Sequence, residues 1–159
     1  MGMKGFYDVT AESRATASAV WSLLVDAHSW PRWGTVDALV ADASERLSPD
    51  GRDEVGAVRA FRTGDVVTSE RITELRPDEL FAYEGANNPF MENYSARVTL
   101  KERSEGGVEI RWSGEYDVSS DVHALLAPEL RQTMQRMVTG LAEAAERSSS
   151  ARDVDVSES

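Results

Sequence analysis

Between residues 55 and 118 the chain alternates apolar and polar residues in short runs, each cut by turn-forming residues: TGD at 63–65, RPDE at 76–79, NNPFMEN at 87–93 and RSEGG at 103–107. Alternation with a period of two marks half-buried strands, and connections this short join antiparallel neighbours, so this region is confined to a meander. A two-residue loop at Gly64 and Asp65 pairs Thr63 with Val66, Phe61 with Thr68, Arg59 with Glu70 and Ala57 with Ile72. A turn at RPDE then opposes Leu75 to Leu80, Glu74 to Phe81 and Ile72 to Tyr83. The last hairpin sets Leu100 against Ile110, Val98 against Trp112 and Tyr94 against Tyr116, with Glu109, Arg111, Ser113 and Glu115 facing out. A one-residue slip would turn every side chain over, and the coherent apolar face of both hairpins argues against one.

The flanks have a different period. Residues 6–13, FYDVTAES, read as a first strand, followed by an amphipathic helix in TASAVWSLLVDA with Thr16 or Ser18 as its N-cap. Pro31 disfavours helical geometry at Trp30, so the helix should break at HSWP, with Trp33 on a short second helix or turn. VDALVADASERL reads as strand two. From Ser120 onward Val122, Leu126, Leu130, Met134, Met137, Val138, Leu141 and Ala145 form one helical stripe, with Pro128 expected in the first turn of the long helix. Residues 148–159 are polar and read as a disordered acidic tail, leaving residues 1–147 as one domain. The expected fold class is α+β, an antiparallel sheet with its helices gathered on one side.

Composition removes several functions. The chain has no cysteine, which excludes disulfides, thiolate metal sites and cysteine nucleophiles. Its net charge is -11 and it has no basic run, so nucleic acid and anionic lipid surfaces are poor partners. With no apolar leader and no membrane-span stretch, a cytoplasmic location is expected. His28 and His123 are the only histidines and neither has a second ligand at metal spacing, so no metal is expected. Neither a Gly-rich phosphate loop nor a G-x-S-x-G elbow is present.

The inward face combines large aromatics with ionisable groups. Arg59 and Glu70 lie among Phe61, Ile72, Phe81, Tyr83, Tyr94, Trp112 and Tyr116, opposite Met134 and Met137 of the long helix. Three readings fit the charged pair: it orients a ligand carbonyl or hydroxyl, Glu70 acts as a base with a raised pKa, or it is a cross-strand ion pair that fixes register. The tyrosines likewise read as hydrogen-bond donors to a ligand or as rim residues with wet hydroxyls.

Taken together, AVWSLLVDAHSWPRW, VGAVRAFRTG, ERITELRPDELFAYE, the Gly-Gly turn before EIRWSGEYDV and the long last helix resemble the START-like, Bet v 1-like superfamily. The branch is that of the bacterial polyketide cyclases/dehydrases and lipid-transport proteins, and the resemblance covers residues 6–147. It implies a helix-grip fold: a seven-stranded curved sheet around the C-terminal helix, two short helices after the first strand, and an apolar cavity between sheet and helix. Trp30 and Trp33 would close the narrow end or line the cavity mouth, or else are ordinary packing anchors; the amide-rich loop at 87–93 carries Phe90 and Met91 either as a lid over a pocket mouth or tucked on the sheet edge. The implied function is binding or carriage of a small apolar molecule of polyketide or lipid type, without a cofactor, by a monomer or homodimer. Two alternatives are a cofactor-free polyketide aromatase/cyclase and a co-chaperone-like interaction module.

Overall fold

A computed structural model describes residues 2–158, with side chains for residues 2–148. Seven antiparallel strands form one sheet in the order β1-β7-β6-β5-β4-β3-β2. They are β1 (Gly2–Ser13), β2 (Ala38–Leu39), β3 (Val58–Thr63), β4 (Val66–Arg76), β5 (Leu80–Asn87), β6 (Glu92–Glu102) and β7 (Val108–Ser119). Helices α1 (Ala17–Leu24) and α2 (Trp30–Trp33) follow β1, and α3 (Ser120–Glu158) follows β7. The curved sheet wraps this long helix in the helix-grip arrangement.

The first hairpin has the expected register, with Thr63 opposite Val66 and Arg59 opposite Glu70. In the second, Ile72 faces Tyr83 as expected, but Leu75 faces Phe81 and Glu74 faces Ala82, one residue away from the expected partners. A bulge between Ile72 and Glu74 absorbs the extra residue and returns the ladder to register. In the third, Val98 faces Trp112 and Leu100 faces Ile110, whereas the expected pairing of Tyr94 with Tyr116 falls in a break of the ladder between Glu92 and Ser95. Asn93, with φ 52°, makes the local turn there.

Thr16 is the N-cap of α1, its Oγ1 accepting the Ala19 N–H at 3.1 Å. Pro31 does not break the helix as expected: Trp30 is itself helical, at φ -54° and ψ -41°, and the break lies at the extended Asp26. Proline is tolerated at the start of α2 because the first-turn N–H it lacks would have no helical partner anyway. The stretch expected as strand two keeps only Ala38 and Leu39 in the sheet, followed by a 3-10 turn at Ala41–Ala43 and an isolated bridge from Glu45 to Val58.

Pro128 lies inside α3, not in its first turn. The backbone of α3 continues to Glu158, through most of the segment expected as a disordered tail. Its apolar stripe is seated unevenly. Met134, Met137, Val138, Leu141 and Ala145 are buried, whereas Leu126 and Leu130 are only partly buried and Val122 is exposed. The buried half is anchored by Ser13, whose Oγ donates to the Ala142 carbonyl at 2.8 Å. No helix among the described residues is long and apolar enough to cross a membrane.

Candidate functional site

The expected inner face is present. Arg59, Phe61, Ile72, Phe81, Tyr83, Trp112 and Tyr116 are all buried, and Met134 and Met137 complete the same core from α3. Glu70 and Tyr94 are the exceptions: Glu70 keeps 14% side-chain exposure and Tyr94 is partly buried.

Arg59 is held as a strut. Its side chain is 0% exposed, and its Nη2 donates to the Leu24 carbonyl at the end of α1 at 2.9 Å. The guanidinium stands 4.4 Å from the Trp30 ring centroid and 5.1 Å from that of Phe81, within cation–π range. Its nearer carboxylate is Asp53 (Nε to Oδ2, 3.5 Å), and Glu70 stands at 4.0 Å from Nη1. Asp53 is 2% exposed, and its Oδ1 accepts the Ser48 N–H at 2.8 Å. Burial pushes the guanidinium pKa down, and the charges of Glu70 and then Asp53 push it back. Sequence reading missed Asp53, which reaches the sheet from a loop whose path no periodicity predicts.

Trp30 and Trp33 belong to the core and not to a mouth. Trp30 stacks on Phe61 with centroids 5.2 Å apart and meets Trp112 edge-on at 5.5 Å, while Trp33 donates from Nε1 to Ser29 Oγ at 3.0 Å. Of the expected lid, Phe90 is 53% exposed and Met91 packs against the core. Asn88 Oδ1 accepts the N–H groups of both at 2.9 and 3.1 Å and folds the loop back on itself.

The polar centre of the inner face is a set of three tyrosines, one of which, Tyr7, sequence reading did not single out. Trp112 Nε1 donates to Tyr83 OH at 3.1 Å, Tyr83 OH meets Tyr94 OH at 3.3 Å, and Tyr94 OH is hydrogen-bonded to Tyr7 OH. Tyr7 lies flat on the sheet because residue 114 is glycine: a Cβ there would stand 2.7 Å from the tyrosine ring and hydroxyl. The three hydroxyls share two contacts, so one hydroxyl hydrogen has no acceptor among the described residues. Burial raises all three phenol pKa values, that of Tyr94 to about 12, and the charge of Glu70 adds to the shift. At neutral pH the tyrosines are therefore donors and not bases.

Glu70 is the carboxyl of this inner face. Desolvation pushes its carboxyl from the ordinary 4.5 up to about 7, against the opposing pull of Arg59. The folded state then holds a proton that the unfolded chain has lost between those two values. The stabilisation is complete below about pH 4.5 and is lost as the pH rises through about 7. Glu70→Gln should remove this slope, roughly 1–3 kcal/mol across the window, and should leave the variant the more stable protein above it. Urea denaturation of both proteins from pH 4.5 to 8 measures this, and parallel profiles would mean an ordinary carboxyl.

The open spaces of the structure lie around this core. A pocket of about 370 Å³ is lined by Gly85, Asn88, Met91 and Tyr94, and one of about 380 Å³ by Phe90, Met91 and Val118 at the end of β7. Another, of about 420 Å³, lies on the outer sheet face beside Phe6, Asp8 and Arg97. A fourth, of about 630 Å³, lies beneath α1. The expected cavity between sheet and helix is occupied along β3 and β5 by the packed aromatics, and space opens instead beside Tyr94. Among the described residues no three His, Asp or Glu side chains are grouped as metal ligands.

Known proteins show the same architecture. A Thermobifida fusca protein solved in solution is 24% identical, with a TM-score of 0.72 over 89% of this chain and 93% of its own. The Zhui aromatase/cyclase from Streptomyces sp. R1128 is 14% identical, with a TM-score of 0.75 over 91% of this chain and 95% of its own. Norcoclaurine synthase from Thalictrum flavum, solved as a point mutant with a transition-state analogue, is 13% identical, with a TM-score of 0.70 over 94% and 98%. At these identities the likeness concerns the fold. No curated protein sequence matches the chain. Residues 7–146 match the family described as polyketide cyclase / dehydrase and lipid transport, and the chain belongs to that family.

Proposed function

We infer that the protein binds one small, mostly apolar molecule carrying a ketone, enol or phenol oxygen. That oxygen is held at the Tyr7–Tyr83–Tyr94 cluster, and the body of the ligand lies toward the 85–94 hairpin and the first half of α3. The observation that carries this reading is the unaccepted hydroxyl hydrogen. A buried core gains nothing from three phenols in contact, whereas a ligand oxygen would complete the set. The open space at the 85–94 hairpin supports it: Met91 lines both pockets there, Tyr94 one of them, and Phe90, 53% exposed, the other.

A second reading, cofactor-free cyclisation of a polyketide-like chain, is favoured by Glu70. A carboxyl with a pKa of about 7 is matched to accepting a proton from an acidic carbon or hydroxyl at neutral pH, while the tyrosines stabilise the enolate oxygen. Arg59, the other polar candidate, is committed to Leu24 and Asp53 and serves this reading only by holding Glu70 in place. The interaction-module alternative has less support, because edge strand β2 offers only two residues and β1 is packed along α3. Native mass spectrometry of protein purified from its source should show a one-to-one adduct whose extracted ligand carries an oxygen on an apolar skeleton. An adduct of a fully apolar or strongly charged molecule would overturn the reading.

A further inference from the structure

We propose that the pocket of about 630 Å³ between α1, residues 50–54 and the β4–β5 turn is a second binding site, built for a small organic cation with an apolar body. It lies outside the tyrosine site and does not depend on it. One wall is apolar, made of Trp21, Val25, Leu75 and Pro77. Trp21 is only partly buried: its ring meets Phe81 edge-on at 6.3 Å, and it also lines the pocket. The lining also carries the carboxylates of Asp26, Asp50 and Glu54 against the guanidinium of Arg52, while a fourth, Asp53, is paired with Arg59.

The backbone of this loop is fixed in place. The loop is tied to α1 by the Asp53 N–H donating to the Val25 carbonyl at 2.9 Å. Gly51, at φ +70°, brings the loop against Asp26 so closely that a Cβ would stand 2.9 Å from its carboxylate carbon. Asp53 lines the pocket, but its carboxylate is engaged elsewhere, Oδ1 accepting the Ser48 N–H and Oδ2 paired with Arg59 Nε at 3.5 Å. An apolar slot with an aromatic wall and an excess of negative charge selects an ammonium group on a hydrocarbon body. The cation is drawn by the carboxylates and by the Trp21 ring, and the body fills the slot. An anion of the same shape is repelled.

The test uses n-hexylammonium, 1-hexanol and hexanoate as probes, read by the indole N–H resonances of the four tryptophans, with Trp21 assigned through Trp21→Phe. Hexylammonium should shift the Trp21 resonance saturably and leave that of Trp112 unmoved. Its affinity should exceed that of hexanol about five- to tenfold, since each partly exposed charge contributes modestly, and hexanoate should not bind. Asp50→Asn with Glu54→Gln should reduce this preference at least severalfold, an unmoved Trp112 resonance certifying the fold. Equal affinity for amine and alcohol, a preference that survives the double replacement, or a shift centred on Trp112 would each overturn the proposal.

Discussion

Replacing Arg59 with Met is expected to cost about 3–5 kcal/mol of unfolding free energy, because it leaves a buried carboxylate without its counter-charge. The loss falls mainly on Asp53, whose Oδ2 has no hydrogen bond to replace the ion pair, and on the tie between β3 and the end of α1. Glu70 suffers less, since it keeps some exposure and can take up a proton at neutral pH. Asp53→Asn should therefore destabilise more than Glu70→Gln, all the more because Asp53 also holds the Ser48 N–H. Combining Arg59→Met with Asp53→Asn should recover part of the loss. Urea denaturation of the single and double variants measures the coupling. A loss below about 1 kcal/mol for Arg59→Met would show a hydrated guanidinium, open to a ligand, and would return Arg59 to the binding site.

The second large effect is expected at Gly140, where α2 crosses α3. A Cβ there would stand 2.0 Å from the Trp33 carbonyl oxygen, a backbone atom that cannot step aside alone. Alanine improves helix propensity by up to ~1 kcal/mol, but separating two packed backbones costs more than that. Gly140→Ala should lower stability by about 2 kcal/mol or more, a fall in Tm of roughly 4–8 °C for a domain of this size. Calorimetry that finds an unchanged or raised Tm would contradict the close seating of α2 on α3. Met137 and the Trp30–Trp33 pair lie at the same seam, so displacement there should also broaden the indole resonances of the core.

The sheet was legible where a short turn set the register. Gly64 and Asp65 determine that Arg59 faces Glu70, and the Gly-Gly turn determines that Val98 faces Trp112. Bulges were not legible, because the extra residue at Thr73 or Asn93 leaves the apolar pattern on either side intact. Tyr7 was missed for a related reason. Its strand pairs with β7 across more than a hundred residues, and no turn fixes that register. Its signal was the alternation of Gly5, Tyr7 and Val9 on one face, opposite the glycine in WSGEY. Asp53 had no such signal, since a loop charge becomes a partner of Arg59 only once the loop has folded under α1. Of the readings open for Trp30 and Trp33, burial favours packing anchors: a helical Trp30 turns its ring into the core between Phe61 and Trp112.

The claim that the tyrosine cluster receives a ligand oxygen is tested most directly by comparing 2-naphthol with naphthalene, titrated by calorimetry or NMR into the parent protein, Tyr7→Phe and Tyr94→Phe. The account predicts one-to-one binding of the naphthol, about five- to tenfold tighter than the hydrocarbon, corresponding to one hydrogen bond of ~1 kcal/mol or slightly more. The preference should be lost in either variant while the affinity for naphthalene stays near its parent value. A naphthol preference that persists in both variants, or equal affinity for the two probes in the parent protein, would contradict it.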